Sequence, residues 1–253
     1  MMSGVMKNSP LHFARFEFKY ILATRLADEI EQELQHFLQY DPFVMERKHH
    51  RYQVRSLYFD DPVYSAFYDK VDGLHSRNKY RLRTYSLVNS STIPLFLESK
   101  GRHNNLVYKH RTPVMRGDLS WSDLSRQDLI QAILQQGESS QVLEQFSYDC
   151  LRRRLSAVAL IDYQRRPYIS KFDTNFRLTF DSQLQVTQTN RLFPSAAVSR
   201  SLQVLPGYVI LELKFRHHLP AWFHAIIQAY ELQRVSISKI CAGMKCLGLA
   251  DDD

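Results

Sequence analysis

The chain has 253 residues, of which 44% are hydrophobic and 23% charged, with 33 Lys and Arg against 26 Asp and Glu, a net charge of +7. This composition excludes a small stapled scaffold and a disordered chain, and the length leaves room for one large β-rich domain or two small ones. The basic excess favours anionic partners such as phosphates, nucleotides, nucleic acid or an acidic membrane surface.

Residues 1–11 read as a frayed start. Phe13 to Tyr20 alternates as a strand, and Thr24 is a candidate N-cap for a helix whose Leu26, Ile30, Leu34, Phe37 and Leu38 share one face. Gln53 to Asp60 reads as a strand closed by the turn signal Asp61-Pro62, with a short helix through Tyr64 and Phe67 after it. Arg77–Ser86, Pro94–Lys100 and Leu106–Met115 are alternating runs separated by hairpin-like connections. Helices are expected over 122–136 and 140–154, and strands over Ala157–Arg165, Asn175–Asp181 and Gly207–Phe215. Pro220 opens an amphipathic helix, and a last helical segment covers Ser238 to Leu247. No repeat or linker divides the chain, so a single domain over 12–249 is expected, with 250–253 frayed. The three cysteines, Cys150, Cys241 and Cys246, lack a paired motif and argue for a reducing compartment. No apolar run approaches a membrane span and the N-terminus lacks signal-peptide order, so a cytoplasmic protein is expected.

About eight strands with turn signals between them suggest a barrel or a sandwich. Within the strands the charges recur at every second position, which places them on one face. Arg15, Glu17 and Lys19 share a face, as do Arg77, Lys79, Arg81 and Arg83. Glu98 pairs with Lys100, Lys109 with Arg111, Tyr163 with Arg165, Arg177 with Thr179 and Asp181, and Glu212 with Lys214. The opposite faces are mostly apolar, and the helices also carry apolar faces that need a partner. Helices packed outside on the apolar faces would turn the charges into the interior of a closed barrel. Such an interior must hold water, counter-charges and an anionic ligand, because bare buried charge is prohibitively costly. Arg15, Lys19, Arg81, Arg83, Lys100, Lys109, Arg111, Arg165, Arg177, Lys214 and Lys239 face Glu17, Glu98, Asp181 and Glu212, a clear surplus of positive charge. A linear phosphate chain complements it, and the few acids suit a hard divalent cation.

The residues that carry these charges also resemble a known family. The pieces are Arg15-Phe-Glu-Phe-Lys-Tyr20, Val54-Arg-Ser-Leu-Tyr-Phe-Asp-Asp61, Arg77-Asn-Lys-Tyr-Arg-Leu-Arg-Thr-Tyr85, Leu97-Glu-Ser-Lys100 and Val107-Tyr-Lys-His-Arg111. Tyr163-Gln-Arg165, Arg177-Leu-Thr-Phe-Asp181, Leu211-Glu-Leu-Lys214 and Ser236-Ile-Ser-Lys239 follow in order. Together they resemble the VTC-domain polyphosphate polymerases, a branch of the triphosphate tunnel metalloenzymes that include the CYTH phosphatases. The resemblance implies an α+β, mainly β fold, a closed antiparallel eight-stranded tunnel. It implies phosphate binding by Lys19, Arg81, Arg83, Lys100, Lys109, Arg111, Arg165, Arg177, Lys214 and Lys239, and Mn2+ or Mg2+ on Glu212. Ser238 is a further phosphate contact or a helix cap, and Glu17, Glu98 and Asp181 are further metal candidates. Arg15 stands where the CYTH phosphatases have a first Glu, which favours the polymerase branch. The sensing domain and membrane helices of eukaryotic polymerases have no counterpart, so a stand-alone, bacterial-type member is expected.

The function so implied is transfer of the ATP γ-phosphoryl group onto polyphosphate, with Arg81, Arg83, Arg165, Arg177 and Glu212 as the catalytic set. An inorganic triphosphatase or polyphosphatase in the same tunnel is the alternative. A non-catalytic polyphosphate- or RNA-binding module is the third reading, although no nucleic-acid motif is evident. Tyr58 and Tyr163 read as packing residues.

Overall fold

Alternating charged and apolar residues build one antiparallel sheet, with the two kinds of side chain on opposite faces. The computed structural model describes residues 16–103, 106–116, 121–122, 124–195 and 199–251. Arg15 and the expected frayed segment 1–11 lie outside the described residues. In chain order the elements are β1 (Phe16–Ala23), α1 (Thr24–Leu34), β2 (Leu38–Tyr40), β3 (Tyr52–Asp60), α2 (Ser65–Val71), β4 (Ser76–Thr84), β5 (Leu95–His103) and β6 (Leu106–Val114). There follow α3 (Arg126–Gln136), α4 (Gln141–Arg153), β7 (Ser156–Ser170), β8 (Arg177–Thr187), β9 (Ser201–Gln203), β10 (Tyr208–Phe215), α5 (Ala221–Ala229) and α6 (Lys239–Cys246).

The strand order is β1-β10-β8-β7-β3-β4-β5-β6, with β2 added to β7 and β9 to β8. This corrects the expectation of a closed eight-stranded barrel. The sheet has 10 strands, and its two ends, β1 and β6, are not paired with each other among the described residues. The sheet nevertheless curls back on itself: Lys100 on β5 reaches Glu17 on β1 at 3.2 Å, although these strands stand near opposite ends of the order. A side-chain ion pair, not a backbone ladder, spans the gap.

Three strands lean on β7, which runs 15 residues, well past the Arg165 boundary read from sequence. Beyond Arg165 the strand continues, and Tyr168 and Ile169 pair with both β2 and β8. The pairing of β7 with β8 shifts register between Asp162 and Gln164, where β8 carries one extra residue.

The apolar faces are covered as the helical patterns require. Leu57, Leu82, Leu95 and Leu97 pack with Leu129, Ile133 and Phe146 of α3 and α4. On the other half, Leu178, Leu211 and Leu213 pack with Ile30 and Leu34 of α1 and with Phe223 and Ile226 of α5. Each such fully buried side chain contributes roughly 1.5–3 kcal/mol. Ser125 and Ser140 cap α3 and α4, their side chains accepting from the amides of Asp128 and Leu143. Thr24 is not the N-cap of α1 but its first residue, and its hydroxyl donates to the Gly207 carbonyl at 2.9 Å.

The expectation that all helices lie outside is also corrected. Ile240, Cys241 and Met244 of α6 pack with Ile161, Tyr163 and Val186. Ile161 and Tyr163 alternate with Leu160 and Asp162, so they share the face of Arg165. Gly243 makes this approach feasible, because a Cβ there would stand 2.7 Å from the Ile161 Cδ1 and 2.9 Å from the Val186 Cγ2. No described helix is long and apolar enough to cross a membrane.

Candidate anion-binding site on the charge-bearing face

Adjacent strands bring the alternating charges into two groups, each built around buried carboxylate. The first lies on β4, β5 and β6. Antiparallel register sets Glu98 opposite both Arg81 and Arg111. The Glu98 side chain is 0% exposed, with Arg81 at 2.6 Å, Arg83 at 3.5 Å and Lys109 at 2.7 Å. Burial pushes its carboxyl up, but Arg81, Arg83 and Lys109 outweigh burial and hold it far below the usual carboxylate range. Neighbouring β3 supplies further contacts: Arg81 donates to the Tyr58 hydroxyl at 3.0 Å and Arg83 to the Ser56 hydroxyl at 3.0 Å.

The second group lies on β7, β8, β10 and α6. Register sets Arg165 opposite Asp181, and the two form a forked pair with both N···O distances 2.6 Å. Lys239, first residue of α6, meets the same carboxylate at 2.7 Å. Glu212 meets Lys214 at 2.7 Å through Oε1, and Arg165 and Lys239 each stand 3.8 Å from its Oε2. Burial acts against the charged forms of Asp181 and Glu212, yet the surrounding lysines and Arg165 keep both carboxyls low. Tyr163 forms the floor, with Arg165 5.4 Å and Lys239 5.0 Å from its ring centre.

Glu17 joins the groups. It meets Lys19 at 3.0 Å and Lys100 at 3.2 Å, and Lys19 also donates to the Ile237 carbonyl. Burial and the Glu212 charge push the Glu17 carboxyl up, but Lys100, Lys19 and Lys214 together bring it to about 2. Burial pulls Lys100 down, and it brings Lys109 to about 8 despite Glu98.

Of the residues singled out from sequence, the structure therefore assembles Lys19, Arg81, Arg83, Lys100, Lys109, Arg165, Lys214 and Lys239 around Glu17, Glu98, Asp181 and Glu212. Arg111 and Arg177 are exposed. Arg111 lies 4.8 Å above the Phe96 ring, and Arg177 is the cross-strand partner of Lys214. Ser238 occupies the N-cap position of α6 but makes no side-chain cap bond. Sequence reasoning missed Ser56, and it read Tyr58 and Tyr163 as packing alone. The i, i+2 spacing of Ser56 and Tyr58 was the available signal. Burial pushes the Tyr58 phenol up, and Arg81 and Arg83 outweigh it to bring the phenol to about 8.

The donor set discriminates among the metal candidates. Among the described residues no cluster of three or more His, Cys, Asp or Glu is placed to hold an ion. Mg2+ and Mn2+ commonly take one or two carboxylates and complete their shell with water and substrate phosphate oxygens. Glu17 and Glu212, which act on each other electrostatically, fit that pattern. Glu98 and Asp181 fit it less well, since both oxygens of each are already held by cations.

A curled antiparallel sheet thus gathers arginines, lysines and buried carboxylates on one face. Similar folds occur among solved structures. A Bacillus halodurans protein provisionally assigned as an adenylate cyclase aligns over 89% of this chain and 94% of its own, with 12% identity and a TM-score of 0.51. Fainter similarities are to protein PH1819 of Pyrococcus horikoshii (11% identity, 86% of each chain, TM-score 0.40) and the Mimivirus capping enzyme triphosphatase (10% identity, 85% and 89%, TM-score 0.33). The last two carry no weight for the fold. No curated protein matches. The VTC domain model matches residues 14–248, and the chain belongs to that family.

Proposed function

We propose that this protein is a phosphotransferase that moves the γ-phosphoryl group of ATP onto a polyphosphate end, with the phosphates lying along the charge-bearing face. The observation that carries this reading is the pair of cation clamps, Arg81 with Arg83 and Arg165 with Lys239, each anchored by a buried carboxylate. Phosphoryl transfer needs alignment and charge stabilisation more than a covalent catalyst. The forked donors of Arg81, Arg83 and Arg165 orient phosphate oxygens, and Lys19, Lys100, Lys109, Lys214 and Lys239 add point charges along the row. Arg111 and Arg177 extend the row to its exposed edge. The acceptor phosphate is the nucleophile, so no side chain has to attack. Glu212 with Glu17 would hold Mg2+ or Mn2+, which would offset charge on the phosphate oxygens.

Hydrolysis of a short phosphate chain is the second reading. The position of α6 on the charge-bearing face favours it, because the helix reduces the room for a long product. The test is incubation with ATP and Mn2+ followed by a gel that resolves chain length. Lengthening chains that disappear in Glu212→Gln support the transferase. Phosphate release without elongation supports hydrolysis, and neither product from the intact protein refutes both.

A further inference from the structure

One end of the charge-bearing face carries a cluster of aromatic rings. Phe43 lies 5.2 Å from Tyr52 and 6.4 Å from Tyr85, the two tyrosines are 5.7 Å apart, and Tyr85 is 6.4 Å from Phe96. All four contacts are edge-to-face or close to it, so the rings present edges and faces in several directions. Phe43 is 51% exposed, although Phe is a residue that burial normally claims. It is nonetheless held firmly. The Asp41 carboxylate accepts from the Phe43 amide at 2.9 Å, and Arg47 donates to the Phe43 carbonyl at 3.1 Å with its guanidinium 4.3 Å from the ring centre.

The cluster touches both clamps. Tyr52 is the cross-strand partner of Arg165, and Phe96 is the partner of Arg83. A ligand that fills a clamp with phosphate and continues to this end meets planar aromatic surface. That combination, a polyanion joined to a flat ring system, is a nucleoside triphosphate; an extended inorganic phosphate chain has nothing to place there.

We propose that Phe43, Tyr52 and Tyr85 form a stacking platform for the base of a nucleoside triphosphate whose phosphates enter the arginine clamps. The inference rests on the phosphate-binding reading above and adds to it the site of the nucleoside. Stacking on an aromatic face tolerates any base, so ATP and GTP are expected to bind within a few-fold of each other.

The test is calorimetric binding of ATP and, separately, inorganic tripolyphosphate to the full chain and to Phe43→Ala, Phe43→Leu and Phe43→Trp. Loss of one stacking ring is expected to weaken ATP roughly 5- to 100-fold in the Ala and Leu variants. Tripolyphosphate should change by less than about twofold, and Phe43→Trp should retain ATP. Because Leu keeps the apolar volume and tripolyphosphate reports an intact site, a general loss of folding is separated from loss of the ring. Unchanged ATP affinity in the Ala and Leu variants, with tripolyphosphate still bound, overturns the platform alone. A wild-type protein that binds neither ligand overturns the phosphate-site reading and the platform with it.

Discussion

The two halves of the charge-bearing face solve the same problem differently. Around Glu98, one inaccessible carboxylate is shared by Arg81, Arg83 and Lys109, so the acid acts as a fixed post that aims three cations. Around Asp181 and Glu212, two acids share Arg165 and Lys239, and a third acid, Glu17, lies within electrostatic reach of Glu212. The first half holds a single acid. The second holds three acids among Arg165, Lys239, Lys214, Lys19 and Lys100, and Arg165 and Lys239 each stand 3.8 Å from Oε2 of Glu212. Both contrast with Arg55 on the opposite face, whose fork is spent on Asp162 and on the Leu87 and Leu192 carbonyls, leaving a purely structural arginine. The lesson is that a buried carboxylate beside arginine is a positioning device in one place and a candidate cation ligand in another, and the distances of its cations together with a second acid nearby tell them apart.

The comparison is broken most directly by removing a clamp from each half. Arg83→Ala and Arg165→Ala should each lower the rate of ATP-dependent phosphate transfer roughly 100- to 1,000-fold, measured as product per unit time. If one variant keeps full activity, its half is not part of the site.

Next in size is the exchange of the two acids. Glu98→Gln leaves three cations facing each other in a buried place and should cost about 3–5 kcal/mol in urea unfolding. Its residual activity should keep the metal-concentration dependence of the wild type. Glu212→Gln should be milder in unfolding, because Asp181 still neutralises Arg165 and Lys239, but should shift the metal dependence to higher concentration. Equal metal curves for the two variants would erase the distinction between the halves.

Much of this arrangement was legible in the chain. The i, i+2 spacing of Arg81 and Arg83, Glu98 and Lys100, and Glu212 and Lys214 placed those pairs on common faces, because strand geometry dictates it. What the spacing could not supply was partnership across strands. Glu17 meeting Lys100 depends on how the sheet curls, and nothing local to either strand encodes that. Likewise α6 reads as an ordinary amphipathic helix, and only its tertiary packing puts it on the charge-bearing face. The short strands β2 and β9 were missed because three residues are too few for a period, and they form by borrowing the free edges of β7 and β8.

Acid sharpens the same contrast at smaller scale. The Glu17 carboxyl sits at about 2 in the folded chain against a usual 4.5, so its stabilisation is fully present above about 4.5 and is lost as pH falls toward 2. The carboxyls of Glu98, Asp181 and Glu212 are lowered too and add in the same direction. Urea midpoints should therefore drop through this window, and Glu17→Gln should flatten the drop; an unchanged slope would count against the ion-pair network.

At the alkaline side, Lys109 is at about 8, below its usual 10.5, so rising pH removes one cation from the Glu98 half. Tripolyphosphate affinity should fall across pH 8 and should not in Lys109→Gln. Loss of folding is not the cause, since a lowered lysine makes the folded state relatively more favourable as pH rises between those values. The smallest effect belongs to Arg177→Ala. The residue is exposed, so tripolyphosphate affinity should fall only about threefold, and the difference should vanish in high salt.

The most direct measurement is a crystal structure of the protein with tripolyphosphate and Mn2+, using the anomalous signal of the metal. Phosphates in contact with Arg81, Arg83, Arg165 and Lys239, and a manganese peak beside Glu212 and Glu17, are the predicted result. Phosphate bound elsewhere, with these clamps still closed on Glu98 and Asp181, would contradict it.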